Sequence, residues 1–361
     1  MRIVVVGHDL AGGGAEFVTR VWCRELDRIG HDVVFLGLDR LETTHSPFQP
    51  SPTTAGVSPQ PARHSARVSE VRRLSKGADV VLAMQTYPAL VAFLATRLMR
   101  HRPALVVSER NIPSILLRRE GKSQRVQLAL ARLWYRQFDG AVAISHPVAA
   151  DLVSAFRMQP DSVFTVQNPA LDKAGTVTDV PCRDDAPARP LTLVLPFRLV
   201  PQKRPIAALQ TAVMLRDLGI DVSVLSFGTG SLDTALEAQA QRQRIALDRR
   251  GWVDDWYDHL PEHAVVLLPS YCEGFGNVLV EAASRGVPSV AVSTSLGVAD
   301  AIVPGITGVL AVSGEPSDLA DAVMQARELS PPPDLPWLQQ FTAASSVQRL
   351  ERVLAKFSKH D

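Results

Sequence analysis

Cysteine pairs, long apolar runs and an excess of either charge sign are scarce in this chain of 361 residues. Its three cysteines, Cys23, Cys182 and Cys272, lie far apart, which leaves no disulfide framework and no metal-ligand spacing. A reducing cytosol suits such a chain, and a cytoplasmic location is expected. The net charge is only +1, which gives no electrostatic footing for nucleic acid. No stretch offers the ~20 consecutive apolar residues of a membrane span. The nearest contender, Val80 to Thr96, is uncharged, but Pro88 splits it into a strand-like Val80 to Gln85 and a helix-like Ala89 to Met99. The apolar part of Met1 to Gly7 is too short for a signal peptide and reads as a first strand.

What is present is a globular composition, 46% hydrophobic and 21% charged, long enough for two domains with substantial cores. Charge is unevenly shared. Residues 1–180 hold 22 basic and 16 acidic side chains, a balance of +6; residues 181–361 hold 16 and 21, a balance of −5. The two halves are therefore expected to meet different partners.

Strand and helix alternate from the start. Ile3 to Val6, a glycine loop through Gly12, Gly13 and Gly14, a helix over Ala15 to Ile29 and a strand at Val33 to Leu36 make a βαβ opening. Residues 39–62 read as a loop rich in Pro, Ser and Thr. Further strands are expected at 80–85, 104–107, 140–145 and 163–166. The pattern predicts α/β domains at 1–168 and 191–334, a Pro-rich linker at 169–190 and terminal helices at 335–361. Two such units with ligand loops after strand ends imply a site in the cleft between them. Ser114 to Phe138 looks helical with a break near Gly121, and sets six basic residues among apolar ones. Two readings stand for it: a helix lying on an anionic membrane surface, and a packed helix with a solvated basic face.

The stretch that organises the second half is Y-C-E-G-F-G-N-V-L-V-E-A-A-S-R-G-V-P, Tyr271 to Pro288. The apolar run Val265 to Pro269 leads into it as a buried strand. Gly274 and Gly276 mark a tight turn, and Asn277 to Arg285 a helix stopped by Gly286 and Pro288. Backbone N–H groups and a positive dipole end at such a turn suit a phosphate or sugar oxygen. Glu273 sits before the turn, and Glu281 follows about two helical turns on. Arg198 and Lys203, across a proline turn after another strand, can aim two cations at one anion. Gly228-Thr229-Gly230 follows a strand end, as ligand loops and ordinary turns both do. Gly251-Trp252-Val253 can border a planar base or be a turn with a packing tryptophan. Asp254 and Asp255 read as a helix start, so no metal is assigned.

Taken together, Arg198 and Lys203, G-W-V-D-D at 251–255 and E-G-F-G-N-V-L-V-E-A at 273–282 resemble the retaining glycosyltransferase family 4, of GT-B fold. The resemblance extends to Gly12 to Glu16, A-I-S-H at 143–146, Asn168-Pro169 and G-I-T-G-V-L at 305–310. It implies two Rossmann-like domains facing across a cleft, with the C-terminal helix returning to the first. It implies a hexosyltransferase that moves a sugar from a nucleotide-sugar, read as UDP-linked, without metal or cofactor. Arg198 and Lys203 would hold the donor diphosphate, and Glu273 the transferred sugar. Backbone N–H groups of Phe275, Gly276, Asn277 and Val278 would serve sugar and phosphate, and Glu281 the ribose. Gly228, Trp252 and Val253 would border the donor, with Gly12, Gly13 and Gly14 completing the site from the other domain. Many members carry a histidine after the strand that here ends at Val107. In its place stands S-E-R-N, as in relatives that build surface glycans, so Glu109, Arg110 or Asn111 is expected on the acceptor side. The expected acceptor is a lipid-linked glycan at the inner membrane face, the alternative a soluble small molecule. A nicotinamide-dependent dehydrogenase is a weaker reading, because strict G-x-G-x-x-G spacing is absent. An inactive sugar-nucleotide-binding protein is argued against by the intact Arg198, Lys203, Glu273 and Glu281.

Overall fold

Short runs of Val, Ile, Leu and Ala bounded by glycine, proline and polar residues become strands buried on both faces, and the amphipathic segments between them cover those faces as helices. The computed structural model describes residues 1–11, 13–46, 48, 63–119, 121–174 and 190–358, and the chain divides into two compact units. Gly12, Cys182 and most of the expected linker lie outside the described residues. The first unit is Met1–Pro169 with the C-terminal segment from Thr342; the second is Ala170–Phe341.

In the first unit the chain runs β1 (Arg2–Gly7), α1 (Gly14–Arg28), β2 (Asp32–Gly37), β3 (Glu42–Thr44), α2 (His64–Leu74), β4 (Val80–Met84) and α3 (Thr86–Thr96). It continues through β5 (Ala104–Glu109), α4 (Pro113–Arg119), α5 (Lys122–Trp134), β6 (Gly140–Ala143), α6 (His146–Phe156) and β7 (Val163–Thr165). The sheet order is β3-β2-β1-β4-β5-β6-β7, parallel throughout except for the antiparallel edge strand β3. The second unit begins with α7 (Ala170–Ala174) and β8 (Leu191–Leu195), then α8 (Pro205–Asp217), β9 (Val222–Ser226), α9 (Asp233–Gln243) and β10 (Ala246–Arg249). It ends with β11 (Ala264–Leu268), α10 (Asn277–Ala283), β12 (Ser289–Val292), β13 (Gly308–Ala311) and α11 (Pro316–Ala326). Its sheet is wholly parallel, in the order β10-β9-β8-β11-β12-β13.

The terminal helix α12 (Ala343–Phe357) belongs to the first unit. Its Val347, Leu350 and Leu354 join a core with Ile3, Trp22, Leu26 and Phe35. Trp22 Nε1 donates to Ser346 Oγ at 2.9 Å, and Ser346 in turn donates to the Gln167 carbonyl at 2.6 Å. The core of the second unit gathers Val194, Phe227, Trp256, Val266 and Ala282.

Strand order reverses between β1 and β4 in the first sheet and between β8 and β11 in the second. In open α/β sheets the crevice beyond the carboxyl ends of strands at such a reversal is where ligands bind. The loops after β1 and β4, and those after β8 and β11, therefore mark the candidate site residues.

Five elements had no legible period in the sequence, among them α7, which falls in the segment 169–190 read as linker. Glu42–Thr44 sits inside the segment read as loop, α2 is masked by its basic side chains, and β10 and β13 are short strands at the edges of the second sheet. Among the described residues no helix is long and apolar enough to cross a membrane; Val80 to Thr96 splits into β4 and α3.

Candidate functional site

Two loops of the second unit are tied together at its strand reversal. After β8 the chain passes Arg198 and makes a single 3-10 turn, Pro201–Lys203; after β11 it enters Ser270 to Gly276. The Tyr271 amide donates to the Gln202 carbonyl at 3.1 Å, and the Gln202 side chain returns a hydrogen bond to the Cys272 carbonyl at 2.7 Å. This double clamp brings Lys203 Nζ to 2.5 Å from Glu273 Oε1, with both side chains largely buried. From the other side, the Glu273 amide donates to the Ser295 carbonyl at 3.3 Å. Arg198 is exposed, and among the described residues it makes no ion pair. The result is a cation and a carboxylate held at one point, with a second cation earlier on the loop that carries Lys203.

Gly276 has φ +99° and precedes α10, a backbone conformation L side chains rarely adopt. Helix α10 spans only seven residues, so its dipole is a small contribution and the charged pair dominates the site. The Phe275 side chain is core, its ring centroid 5.4 Å from that of Phe341, so only its backbone can meet a ligand. Val278 packs on the core and Asn277 is half-buried at the helix start. Gly228 is required for a different reason from the one its position suggests. A Cβ there would lie 2.0 Å from the Phe197 carbonyl oxygen, so the space belongs to the neighbouring backbone.

Glu281 is buried on α10, and Trp256 Nε1 donates to its Oε2 at 2.7 Å. Burial raises its carboxyl above the usual range, opposed by the Lys173 charge and the Trp256 hydrogen bond. Trp256 belongs to the 3-10 turn Trp256–His259, reached by the chain after Gly251. Trp252 is 48% exposed, its Nε1 donating to Asp254 Oδ1 at 3.1 Å, whereas Val253 packs against the core. Thus Glu273 and Glu281 are held by different partners, Lys203 and Trp256. Trp256, Lys173 and Gln202 were not singled out from the sequence; the only signal was the repeat of tryptophan four residues after Trp252.

In the first unit, Gly13 is the N-cap of α1 and Gly14 its first residue, with Glu16 in the first turn. Glu109 is 3% exposed and turned inward, its Oε1 accepting from Thr86 Oγ1 at 2.8 Å and from the Tyr135 hydroxyl. Burial pushes its carboxyl up to about 7, against the opposing hydrogen bonds. Arg110 is buried over the Trp22 ring, 4.8 Å from its centroid, and donates to Asn168 Oδ1. Burial lowers its guanidinium to about 9, opposed by the charges of Glu16 and Glu109. Asn111 accepts from the Ile112 amide at 2.9 Å and is half-buried. Gln85, after β4, holds φ 74° and ψ 170°, a region otherwise left to glycine. It borders a small recess with His8, Asp9 and Glu16 at the strand reversal. His146, at the start of α6, is exposed.

Residues 12–170 match the family described as Glycosyltransferase Family 4, and residues 192–328 match Glycosyl transferases group 1. A D-inositol 3-phosphate glycosyltransferase of Kribbella flavida is 28% identical over 242 residues, covering 60% of this chain and 53% of that protein. A second of that name, from Catenulispora acidiphila, is 31% identical over 206 residues, covering 51% and 47%. The chain thus spans about half the length of the curated relatives it matches. Among solved structures, the apo lipopolysaccharide outer core galactosyltransferase WaaB superimposes with a TM-score of 0.75 at 18% identity, covering 99% of both chains. Anabaena HepE, solved with UDP and glucose, gives 0.67 at 17% identity, covering 99% of this chain and 100% of that one. Likenesses at that identity show the fold, two parallel-sheet α/β domains of GT-B type.

Proposed function

The chain belongs to glycosyltransferase family 4, the group 1 glycosyl transferases, and from that membership we propose that it transfers a hexosyl group from a nucleotide-diphosphate sugar to an acceptor with retention of configuration. The observation that carries this reading is the Lys203–Glu273 contact at the strand reversal of the second sheet, with Arg198, which pairs with no acid among the described residues, on the same loop as Lys203. Lys203 and Glu273 satisfy one another's charge. A donor diphosphate competes for Lys203 and draws in Arg198, which frees Glu273 to accept hydrogen bonds from the sugar hydroxyls. Glu281, already holding one N–H donor, takes the ribose hydroxyls, while Trp252 and Val253 border the base. The crystal form of Anabaena HepE with UDP and glucose supports a uridine donor.

The chemistry needs no enzyme nucleophile and no metal. The bond from the anomeric carbon to the phosphate oxygen breaks, and the acceptor oxygen forms its bond on the same face. The acceptor proton passes to the departing phosphate oxygen. Arg198 and Lys203 stabilise the charge that develops on that leaving group, and positioning supplies the remainder.

The acceptor we favour is a lipid-linked glycan. On and just after the packed helix α3, and on α5, the apolar side chains Leu94, Leu98, Val126 and Leu133 are exposed among Arg97, Lys122, Arg125 and Arg132, which suits an anionic membrane surface. The curated relatives carry the name of D-inositol 3-phosphate, which favours a second reading, a soluble acceptor. Calorimetry across nucleotide-sugars, followed by mass spectrometry of products from lipid-linked and soluble acceptors, tests both. Glu281→Ala should weaken donor binding, and Arg198→Ala or Lys203→Ala should depress turnover. Wild-type turnover in the double alanine variant would refute the mechanism.

A further inference from the structure

The loop after β12 holds a strained residue beside Glu273 that the donor chemistry does not use. The chain makes a 3-10 turn, Ser293–Ser295, and then reverses at Leu296 with φ 48° and ψ −63°. That is close to the rarer form of the γ-turn, which strains any L residue. Backbone held in such sparsely populated regions concentrates at binding and catalytic sites. The turn does contain a glycine, but at the next position. Gly297 is buried, and a Cβ there would run into the carbonyl oxygens of Glu273 and Gly274. The glycine therefore serves the close approach of two backbones and not the positive φ. The neighbouring side chain does not offset the strain either, because the Ser295 hydroxyl is buried without a hydrogen-bond partner.

Three contacts fix this turn against Glu273. The Glu273 amide donates to the Ser295 carbonyl at 3.3 Å, Glu273 and Leu296 pair as a parallel β-bridge, and Gly297 lies against the Glu273 and Gly274 backbone. Paired strand segments run about 4.8 Å apart, so Leu296 stands one strand spacing from Glu273. The Glu273 carboxylate meets Lys203 there. The Leu296 side chain is 44% exposed, so burial of leucine in the core does not account for the strained backbone. An apolar side chain is thus held beside the charged pair and open to solvent.

We propose that Leu296 is a specificity-determining residue of the donor site, covering the C–H face of the transferred sugar so that a neutral hexose is admitted and a uronic acid rejected. This rests on the reading of Glu273 as the group that holds that sugar. A hexose ring presents hydroxyls at its edge and C–H groups on its faces. Glu273 takes the former and Leu296 the latter. With Arg198 and Lys203 committed to the diphosphate, the carboxylate of a uronic acid would meet a like charge and an apolar side chain. It would lose hydration with no donor in return, which is discrimination by exclusion.

The test is calorimetry on the full chain with UDP, UDP-glucose, UDP-galactose and UDP-glucuronate, in wild type, Leu296→Gly and Leu296→Ala. UDP alone should bind all three proteins alike, since it carries no sugar for Leu296 to meet. Wild type should prefer the better hexose donor to UDP-glucuronate, and that preference should fall about tenfold in both variants as the apolar contact is lost. Leu296→Gly relieves the strained backbone, so its melting temperature should equal or exceed that of wild type. Leu296→Ala keeps the backbone constraint and removes only the side chain, so agreement of the two variants assigns the effect to the side chain. A preference unchanged in both variants, or altered in Leu296→Gly alone, overturns the proposal, as does tighter binding of UDP-glucuronate by wild type. With UDP binding intact, each of those results refutes the role of Leu296 alone. Absent UDP binding by wild type refutes the donor reading, and the role of Leu296 with it.

Discussion

Replacing Glu109 by glutamine isolates what burial of one acid does to the first unit. Desolvation raises this carboxyl from an ordinary 4.5 to about 7, although the Tyr135 and Thr86 hydrogen bonds and the Arg110 charge pull the other way. Between those two values the folded chain retains a proton that the unfolded chain has released. Unfolding therefore becomes easier as pH rises: the native state binds more protons, so the slope of stability against pH is negative. At about 1.4 kcal/mol for each pK unit, the penalty grows to about 3 kcal/mol once the carboxyl is ionised in both states. It is absent below the unfolded value and complete above the folded one. Glu109→Gln removes the titration. Its amide can still accept from Tyr135 and Thr86, while its buried N–H groups carry a cost that does not vary with pH. The expected result is a difference in unfolding free energy that moves by about 3 kcal/mol in favour of the variant between pH 5 and pH 8. Urea unfolding gives the whole-chain value, and hydrogen exchange of the β5 amides confines it to the first unit. Parallel stability curves for wild type and variant across that range would refute the burial argument.

Gln85→Gly should stabilise the first unit by about 1 kcal/mol, the relief of a strained backbone exceeding the added unfolded-state entropy; a lower melting temperature would contradict this. Gly228→Ala should cost more than about 2 kcal/mol, since its Cβ must displace the Phe197 carbonyl, and thermal unfolding of the second unit measures it. Trp256→Phe removes the N–H donor to Glu281 and should raise that carboxyl further, so UDP binding should fall more steeply at low pH than in wild type.

The alternation of strand and helix was legible because fully buried strands leave unbroken apolar runs, as in Val80 to Met84 and Ala264 to Leu268. Short edge strands such as Glu42–Thr44 and Ala246–Arg249 leave no such run, and α2 hides its apolar face behind Arg67, Arg72 and Arg73. Arg198, Lys203, Glu273 and Glu281 were marked by glycine and proline turns after strand ends, which spacing can reveal. Their partners were not. Trp256 reaches Glu281 across 25 positions and Gln202 clamps Cys272 across 70, pairings that only the sheet order sets. The inward turn of Glu109 was equally hidden, because an acid at the end of a strand looks the same whether it meets solvent or Tyr135.

The placement of α12 has a consequence for synthesis. The first unit consists of two chain segments, and the whole of the second unit is translated between them. While the ribosome works through residues 170–341, the first unit lacks the helix that covers Trp22, Leu26 and Ile3, and its apolar face is open to solvent or to a chaperone. The second unit, continuous in sequence, can complete its sheet first. Shortening the chain at Thr342 should therefore expose the first unit to proteases and leave the second intact, because a segment made after the second unit closes the first.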